Sequence, residues 1–276
     1  MSGLKQGLDD PLLFFPQTEP LSDMVQLIWQ IDRFNPYCQE VIVPMGVVEV
    51  IFNFGVEQAF KASLYNKEFV LPQCFVQGYH HAPIKLYLPE NQSLFGVVFH
   101  ASSVYHLFGV PAGEFAASCI DLALVNASIS ELWYRLAEEA SFQKRIDIVA
   151  QWLLPASPRL SKREKAFGEI LSLASLAELS VAGLSDTLCY SPRHLTRKFR
   201  ELTGMNSEQT LLYLKYLKAR RLMHGSNLSL SQIAHSAGFF DQPHFIRTFK
   251  QFTRLTPGEY RKLMGPIEGH YFQNVR

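Results

Sequence analysis

The 276-residue chain has few cysteines, no long apolar run and none of the common catalytic motifs. Its four cysteines are scattered and form no CxxC pair, which argues against a disulfide framework and against a zinc ribbon. No stretch approaches the roughly 18 apolar residues of a membrane span, and the N-terminus "MSGLKQGLDDPLLFFPQ" lacks the unbroken apolar core of a signal peptide. We therefore expect a cytoplasmic protein with free thiols and no membrane partner.

The histidines are not spaced as ligands of one metal ion. Some β-barrel enzymes hold a metal through an HxH pair, a carboxylate and a further histidine. Here His80 and His81 are adjacent, so on a strand they would point to opposite faces, and His100 and His106 converge only if the chain bends between them. Because GxSxG, Walker and HExxH motifs are also missing, we expect no catalytic residues, no metal and no cofactor.

Charge is distributed unevenly along a chain whose net charge is only +1. Residues 1–155 hold 8 Lys and Arg against 16 Asp and Glu, a balance of −8, whereas residues 156–276 hold 18 against 9, a balance of +9. This asymmetry indicates an acidic domain beside a basic one that is suited to nucleic acid or to an anionic membrane. A basic surface that is merely solvated is the alternative reading of charge alone.

The residue pattern changes along the chain in the same way. From about residue 40 to residue 100, β-branched and aromatic runs are broken by Pro, Gly and Asn, which predicts a small β-barrel or sandwich. Residues 129–154 follow helical spacing, and "PASPRLSK" at 155–162 is typical of a linker. The pattern predicts an α+β domain over 1–155 and an all-α domain over 156–276.

Within the basic part, "LSQIAHSAGFFDQPHFIRTF" predicts two short helices joined by a tight turn. Ser229 and Gln232 form a capping-box pattern, Gly238 lets the backbone leave the helix, Phe239 plugs the corner and Asp241 caps the next helix. This is a helix-turn-helix. Its second helix buries an apolar stripe and leaves four polar residues facing outward, Gln242, His244, Arg247 and Lys250. Gln and Arg suit base edges, and Lys suits phosphate.

A second, imperfect copy of this pattern lies about 50 residues earlier, in "GLSDTLCYSPRHLTRKF". Ser191 is its cap and Pro192 fits the first helical turn. The outward residues are Arg193, His194, Arg197 and Arg200. The segment "SEQTLLYLKYLKARRLMHG" predicts one helix between the copies, which would place two recognition helices in major grooves about one DNA turn, roughly 34 Å, apart. Double-stranded DNA is the expected partner.

Residues 172–264 resemble the AraC/XylS family of transcription regulators. The resemblance rests on IA at 233–234, GF at 238–239, DQ at 241–242, Phe245, FK at 249–250 and "TPGEYR" at 256–261, together with "YSPRHLTRKFRELTG". The chain departs from the family pattern at Arg254, where Gly is usual, and at Asn206-Ser207, where Ser or Thr precedes Pro. These departures lead us to expect an altered helix exit or altered local geometry, not a different fold.

The first domain more loosely resembles the cupin-like sensor domains of this family, which names no ligand. Its aromatic strand residues are either ordinary core or the lining of an effector pocket, and the candidates for that lining are Phe52, Phe54, Phe95 and Phe99. The resemblance implies a DNA-binding regulator controlled by a small-molecule effector or by homodimerisation, with RNA polymerase as a partner if it activates transcription. The alternative is a cupin-type small-molecule enzyme fused to a helical domain that localises it on DNA.

Overall fold

A computed structural model describes residues 11–55, 60–172, 180–265 and 267–275 of the chain. Most of the N-terminal stretch for which no signal peptide is expected therefore lies outside the described residues. None of the described helices is both long and apolar enough to span a membrane.

The strands form two antiparallel sheets. They are β1 Leu12–Phe14, β2 Val25–Phe34, β3 Tyr37–Ile42, β4 Val48–Asn53, β5 Lys61–Leu64, β6 Lys67–Val70, β7 Cys74–Gln77, β8 Ile84–Tyr87, β9 Asn91–Phe99, β10 Ile120–Asp121 and β11 His270–Val275. One sheet has the order β1-β2-β9-β4-β7-β10 and the other β11-β3-β8-β5-β6. The β-rich domain expected from the strand pattern is confirmed.

The helices follow the predicted order. They are α1 Leu21–Met24, α2 Ala101–Phe108, α3 Ile129–Ala137, α4 Phe142–Leu153, α5 Lys162–Leu171, α6 Val181–Leu188, α7 Pro192–Thr203, α8 Ser207–Gly225, α9 Leu230–Ser236, α10 Gln242–Thr253 and α11 Pro257–Leu263. The helices α3 and α4 occupy the predicted segment 129–154. The helices α5 to α11 make the second part of the chain, from residue 156 onward, mainly helical. The two-part fold class is thereby confirmed.

Alternation along the strands of the six-stranded sheet separates two apolar clusters. Phe52 and Phe95 face the helices and belong to the main core, whereas Ile51 and Phe75 belong to a smaller cluster that joins residues of both sheets. Successive side chains on a strand point to opposite faces, so this division follows directly from the sequence period of two. The main core continues through the helices of the second part.

The expectation that everything beyond the linker is helical is wrong at the C-terminal end. There β11 pairs antiparallel with β3, with His270 opposite Ile42 and Phe272 opposite Glu40, and so completes the five-stranded sheet of the first part. Phe272 stacks on Tyr37 with ring centroids 5.0 Å apart. A single short strand at the end of a helical segment carries little periodicity, and its partner lies more than 200 residues away, so local patterning could not predict it.

Candidate nucleic-acid interface

The second helix-turn-helix has the caps that its sequence predicts. At the start of α9 the Ser229 hydroxyl accepts the Gln232 amide hydrogen at 3.3 Å, and the Gln232 side chain accepts the Ser229 amide hydrogen at 2.9 Å. The backbone turns at Gly238, whose φ of +79° is left-handed, and the Asp241 carboxylate then accepts the His244 amide hydrogen at 2.7 Å. These contacts fix where α9 ends and α10 begins.

The apolar side of α10 is buried and its polar side is exposed. Phe245 and Phe249 lie in the main core. Gln242, Arg247 and Lys250 are exposed, as predicted. His244 is only half-exposed, because its ring contacts the ring of Phe239 at a centroid distance of 5.4 Å.

The first helix-turn-helix has the same design. The Ser191 hydroxyl accepts the His194 amide hydrogen at 3.3 Å, and Pro192 takes the first position of α7. Leu195 and Phe199 are buried. The guanidinium-bearing residues predicted to face outward are all exposed, at Arg193, Arg197 and Arg200.

His194 is half-buried, and its ring contacts other side chains of the protein. Its ring stacks on Tyr190 with centroids 4.3 Å apart, and its Nε2 lies 2.9 Å from Nη2 of Arg197. Arg197 also forms an i, i+4 ion pair with Glu201 at 3.7 Å. Together these contacts hold the Arg197 side chain along the exposed face of α7.

An open groove of about 840 Å³ lies beside α7 and the start of α8. Its polar lining includes the three outward arginines and residues of the α8 N-terminus, namely Arg193, Arg197, Arg200, Asn206 and Glu208. Arg side chains and backbone amides at helix starts are among the groups that contact DNA phosphates. The three arginines make this groove basic on the side of α7, and Glu208 adds a carboxylate on the side of α8.

The helix between the motifs has the predicted bounds, Ser207–Gly225. Its 19 residues span roughly 28 Å at 1.5 Å per residue. Asn206 caps it in a capping box with Gln209. The Asn206-Ser207 departure from the family pattern thus preserves the helix start.

Arg254 likewise preserves the exit from α10, contrary to the expectation of an altered one. Its φ is +62°, and its amide donates to the Lys250 carbonyl at 2.9 Å. Gly204 ends α7 in the same way, with φ +77° and a 2.9 Å bond to the Arg200 carbonyl. The left-handed exit is therefore kept without glycine, at a cost in backbone strain.

The four phenylalanines predicted to line an effector pocket share one face of the six-stranded sheet. Phe52, Phe95 and Phe99 are fully buried, and Phe52 lies opposite Phe95 in the β4 to β9 pairing. Their rings pack on each other and on Phe142 and Phe108. Phe54 is half-buried, 4.4 Å from the Arg145 guanidinium. The structure thus places this set between sheet and helices.

Sequence reasoning missed a buried polar network on the other face of the same sheet. The Glu49 carboxylate accepts hydrogen bonds from the Trp29 indole and, at 3.0 Å, from the Gln77 amide, and Gln77 Oε1 lies 3.3 Å from Nε2 of His80. Burial raises the pKa of Glu49 and lowers the pKa of His80 to about 4. A charged residue inside the apolar run "VVEVIF" was the available signal.

The side chains of this network are not arranged as the ligands of a metal ion. Within the described ranges, no three His, Cys, Asp or Glu side chains are placed to hold an ion together. His80 and His81 diverge in environment, since His80 is buried and His81 is half-exposed.

The bridging helix α8 is bound directly to the first part of the chain. The Tyr213 hydroxyl donates to the His80 carbonyl at 3.1 Å, and the Tyr216 hydroxyl donates to the Pro44 carbonyl at 3.0 Å. The buried Arg220 guanidinium also donates to Pro44 and pairs with Glu268 at 3.1 Å. The helix that spaces the recognition helices is thus anchored on the β-rich domain.

Comparisons with known proteins match both parts of the chain. Residues 184–263 match a family described as a helix-turn-helix domain, and residues 14–121 match a domain of unknown function, DUF6597. The transcriptional regulator GlxA of Rhizobium meliloti is 38% identical over 160 residues, which are 52% of this chain and 47% of GlxA. The transcriptional activator RhaS of Pectobacterium atrosepticum is 34% identical over 84 residues, 30% of each chain.

Among solved structures, ToxT of Vibrio cholerae aligns over 87% of this chain and 97% of its own, at 11% identity and a TM-score of 0.48. The chain spans about half of the length of GlxA and less of RhaS. The matches with both relatives and with the helix-turn-helix family agree with the two capped motifs and the helix between them. By these matches, residues 184–263 of the chain are similar to the helix-turn-helix domains of transcription regulators such as GlxA and RhaS.

Proposed function

We propose that the protein is a sequence-specific DNA-binding transcription regulator. The observation that carries the proposal is the pair of capped recognition helices, each with an exposed polar and basic face, joined by a single helix of roughly 28 Å. That length is close to the roughly 34 Å between successive major grooves on one face of DNA. A connecting helix of this length is compatible with recognition helices that enter two adjacent grooves.

The exposed residues are proposed to divide the work of binding. Gln242 and Arg197 have side chains that pair bidentately with base edges, whereas Lys250 offers a point charge to phosphate. Gln242→Ala or Arg197→Ala should relax base choice at particular positions and cost about 1–3 kcal/mol. Lys250→Ala should weaken binding to all sequences alike.

The test is selection of bound DNA from a random pool by the full chain, repeated for the three variants and over a series of salt concentrations. Affinity should fall steeply with salt, because phosphate neutralisation releases counterions. The assignment of faces is contradicted if Lys250→Ala shifts the selected sequence while Arg197→Ala does not. Binding that ignores salt, or no selected sequence at all, contradicts the proposed function itself.

The first part of the chain is proposed to regulate the second, with the boundary between them near residues 155 and 156. The support is the anchoring of α8 on Pro44 and His80, which ties the spacing of the recognition helices to the β-rich domain. An effector can change DNA affinity only through different affinities for two arrangements of these parts, typically about 1–3 kcal/mol. Footprinting with and without a metabolite panel tests for such an effector.

Homodimerisation is a second proposed route of control, and RNA polymerase is the proposed protein partner if the regulator activates transcription, as RhaS is named to do. GlxA and RhaS are both named as transcription regulators, which favours the regulator over the enzyme alternative.

A further inference from the structure

Phe240 is the most exposed of the large apolar side chains that the structure describes. It is 94% exposed and stands in the turn of the second helix-turn-helix, between the buried Phe239 and the cap residue Asp241. Single exposed apolar residues are ordinary on protein surfaces. The position of this one, however, distinguishes it from the others.

The duplicated motif shows what the turn itself requires. In the first copy the Tyr190 amide donates to the Ser185 carbonyl at 3.0 Å, and in the second the Phe239 amide donates to the Ala234 carbonyl at 3.0 Å. Each of these two aromatic rings also packs on a histidine in the following helix, His194 and His244 respectively. Tyr190 and Phe239 are therefore equivalent residues.

After these equivalent residues the two copies differ by one position. In the first copy the cap Ser191 follows Tyr190 at once, whereas in the second Phe240 is inserted before the cap Asp241. Both caps accept the amide hydrogen of the third residue beyond them. The first copy thus makes a complete capped turn without an equivalent of Phe240, so the turn does not require this residue.

Phe240 lies at the end of α10 that a helix-turn-helix presents to base edges. The N-terminal residues of a recognition helix contact bases in the major groove, and Phe240 directly precedes that end, beside the exposed Gln242. A phenyl ring offers no hydrogen bond to phosphate or to a base edge. The apolar feature that the major groove displays is the 5-methyl group of thymine.

We propose that Phe240 is a specificity residue that packs on a thymine methyl next to the base pair read by Gln242. The proposal rests on the proposed DNA-binding function and deepens it. The second motif thereby gains a preference for thymine. The first motif has no equivalent of Phe240 and lacks this preference.

The test combines the variant Phe240→Ser with DNA in which each thymine of the selected site is replaced in turn by deoxyuridine, which lacks only the methyl group. For the unaltered full chain, one replacement should weaken binding about fourfold, as expected for one apolar group of methyl size left unburied. The same replacement should leave the affinity of Phe240→Ser unchanged. Leu124→Ser, at another exposed apolar residue that is 83% exposed, is the matched control and should keep the fourfold loss.

Thermal unfolding of Phe240→Ser should match that of the unaltered chain, since the side chain is exposed. The proposal is overturned if no deoxyuridine replacement distinguishes the two proteins, or if Phe240→Ser weakens binding equally at every site variant. A chain that selects no DNA at all overturns the proposed function together with this inference. DNA binding with an unaltered methyl response overturns the role of Phe240 alone.

Discussion

At the scale of single residues, the interface is built from side chains whose orientation is set by local contacts. Arg197 is held by His194 and by Glu201, and His244 is held against Phe239. Two of the residues expected to face DNA, Arg197 and His244, therefore also contact other side chains of the protein. Exposure of a polar residue on a helical wheel follows from the period of 3.6, but these sideways contacts depend on the turn residues and were not apparent from the wheel.

Arg254→Gly should stabilise the protein. A left-handed conformation costs a non-glycine residue roughly 1–2 kcal/mol, and glycine removes this strain. Glycine also has more conformational freedom in the unfolded chain, which lowers the free energy of unfolding by roughly 0.4–1 kcal/mol. The net increase in the free energy of unfolding should be roughly 0.5–1 kcal/mol, measured by urea denaturation. Gly204→Ala is the inverse control, because its Cβ would meet Ala116 at 3.0 Å at a φ of +77°, and it should destabilise. A destabilising Arg254→Gly would show that the arginine side chain makes a contact that outweighs the strain.

At the scale of elements, the recognition helix α7 is closely packed on the first part of the chain. A Cβ added at Gly113, in the short 3-10 helix Ala112–Phe115, would lie 2.2 Å from the Arg200 carbonyl oxygen and 2.8 Å from the Gly204 nitrogen. These are backbone atoms of α7 and its cap, so no side-chain rotation relieves the clash. The close approach makes the position of α7 sensitive to the β-rich domain.

Gly113→Ala should therefore push α7 away and lower the free energy of unfolding by about 1–3 kcal/mol, as overpacking does. Amide hydrogen exchange should show faster exchange in α7 than in α10, whose packing the substitution leaves alone. Gly258→Ala is the matched control, since its Cβ would meet nothing within 4 Å and alanine favours a helix. Equal stability of the two alanine variants would contradict the packing argument.

Elements with their own start and stop signals could be predicted from the sequence, and elements defined by distant partners could not. Ser229, Asp241 and Ser191 are local caps, and each begins a helix where predicted. By contrast, β11 depends on β3, and the Glu49 network depends on three strands coming together. The helix-turn-helix face was predictable for the first reason, and the contacts between the two parts were missed for the second.

At the scale of the whole molecule, the buried network connects the β-rich domain to α8, the helix between the two DNA-binding motifs. His80 receives the Tyr213 hydroxyl on its carbonyl, while its ring lies between Gln77 and the Ala116 carbonyl, 3.3 Å from each. Burial lowers the pKa of this imidazole to about 4, so it is neutral at pH 7. Burial likewise raises the pKa of Glu49. Protonation of this carboxyl as pH falls therefore favours the folded state, whereas protonation of His80 favours the unfolded state.

The free energy of unfolding should fall as pH drops, in a way that His80→Gln suppresses. An unfolded histidine titrates near pH 6.5 and folded His80 near 4, so between these values the unfolded chain binds more protons and acid favours unfolding. The contribution should be about 3 kcal/mol between pH 7 and pH 4, measured by urea denaturation at a series of pH values. The variant should lose less stability over that window, whereas His235→Gln, at an exposed site, should follow the unaltered chain. Because Glu49 is present in all three proteins, its opposing contribution cancels in the comparison. Parallel pH curves for His80→Gln and the unaltered chain would mean that His80 is not the group responsible for this loss of stability in acid.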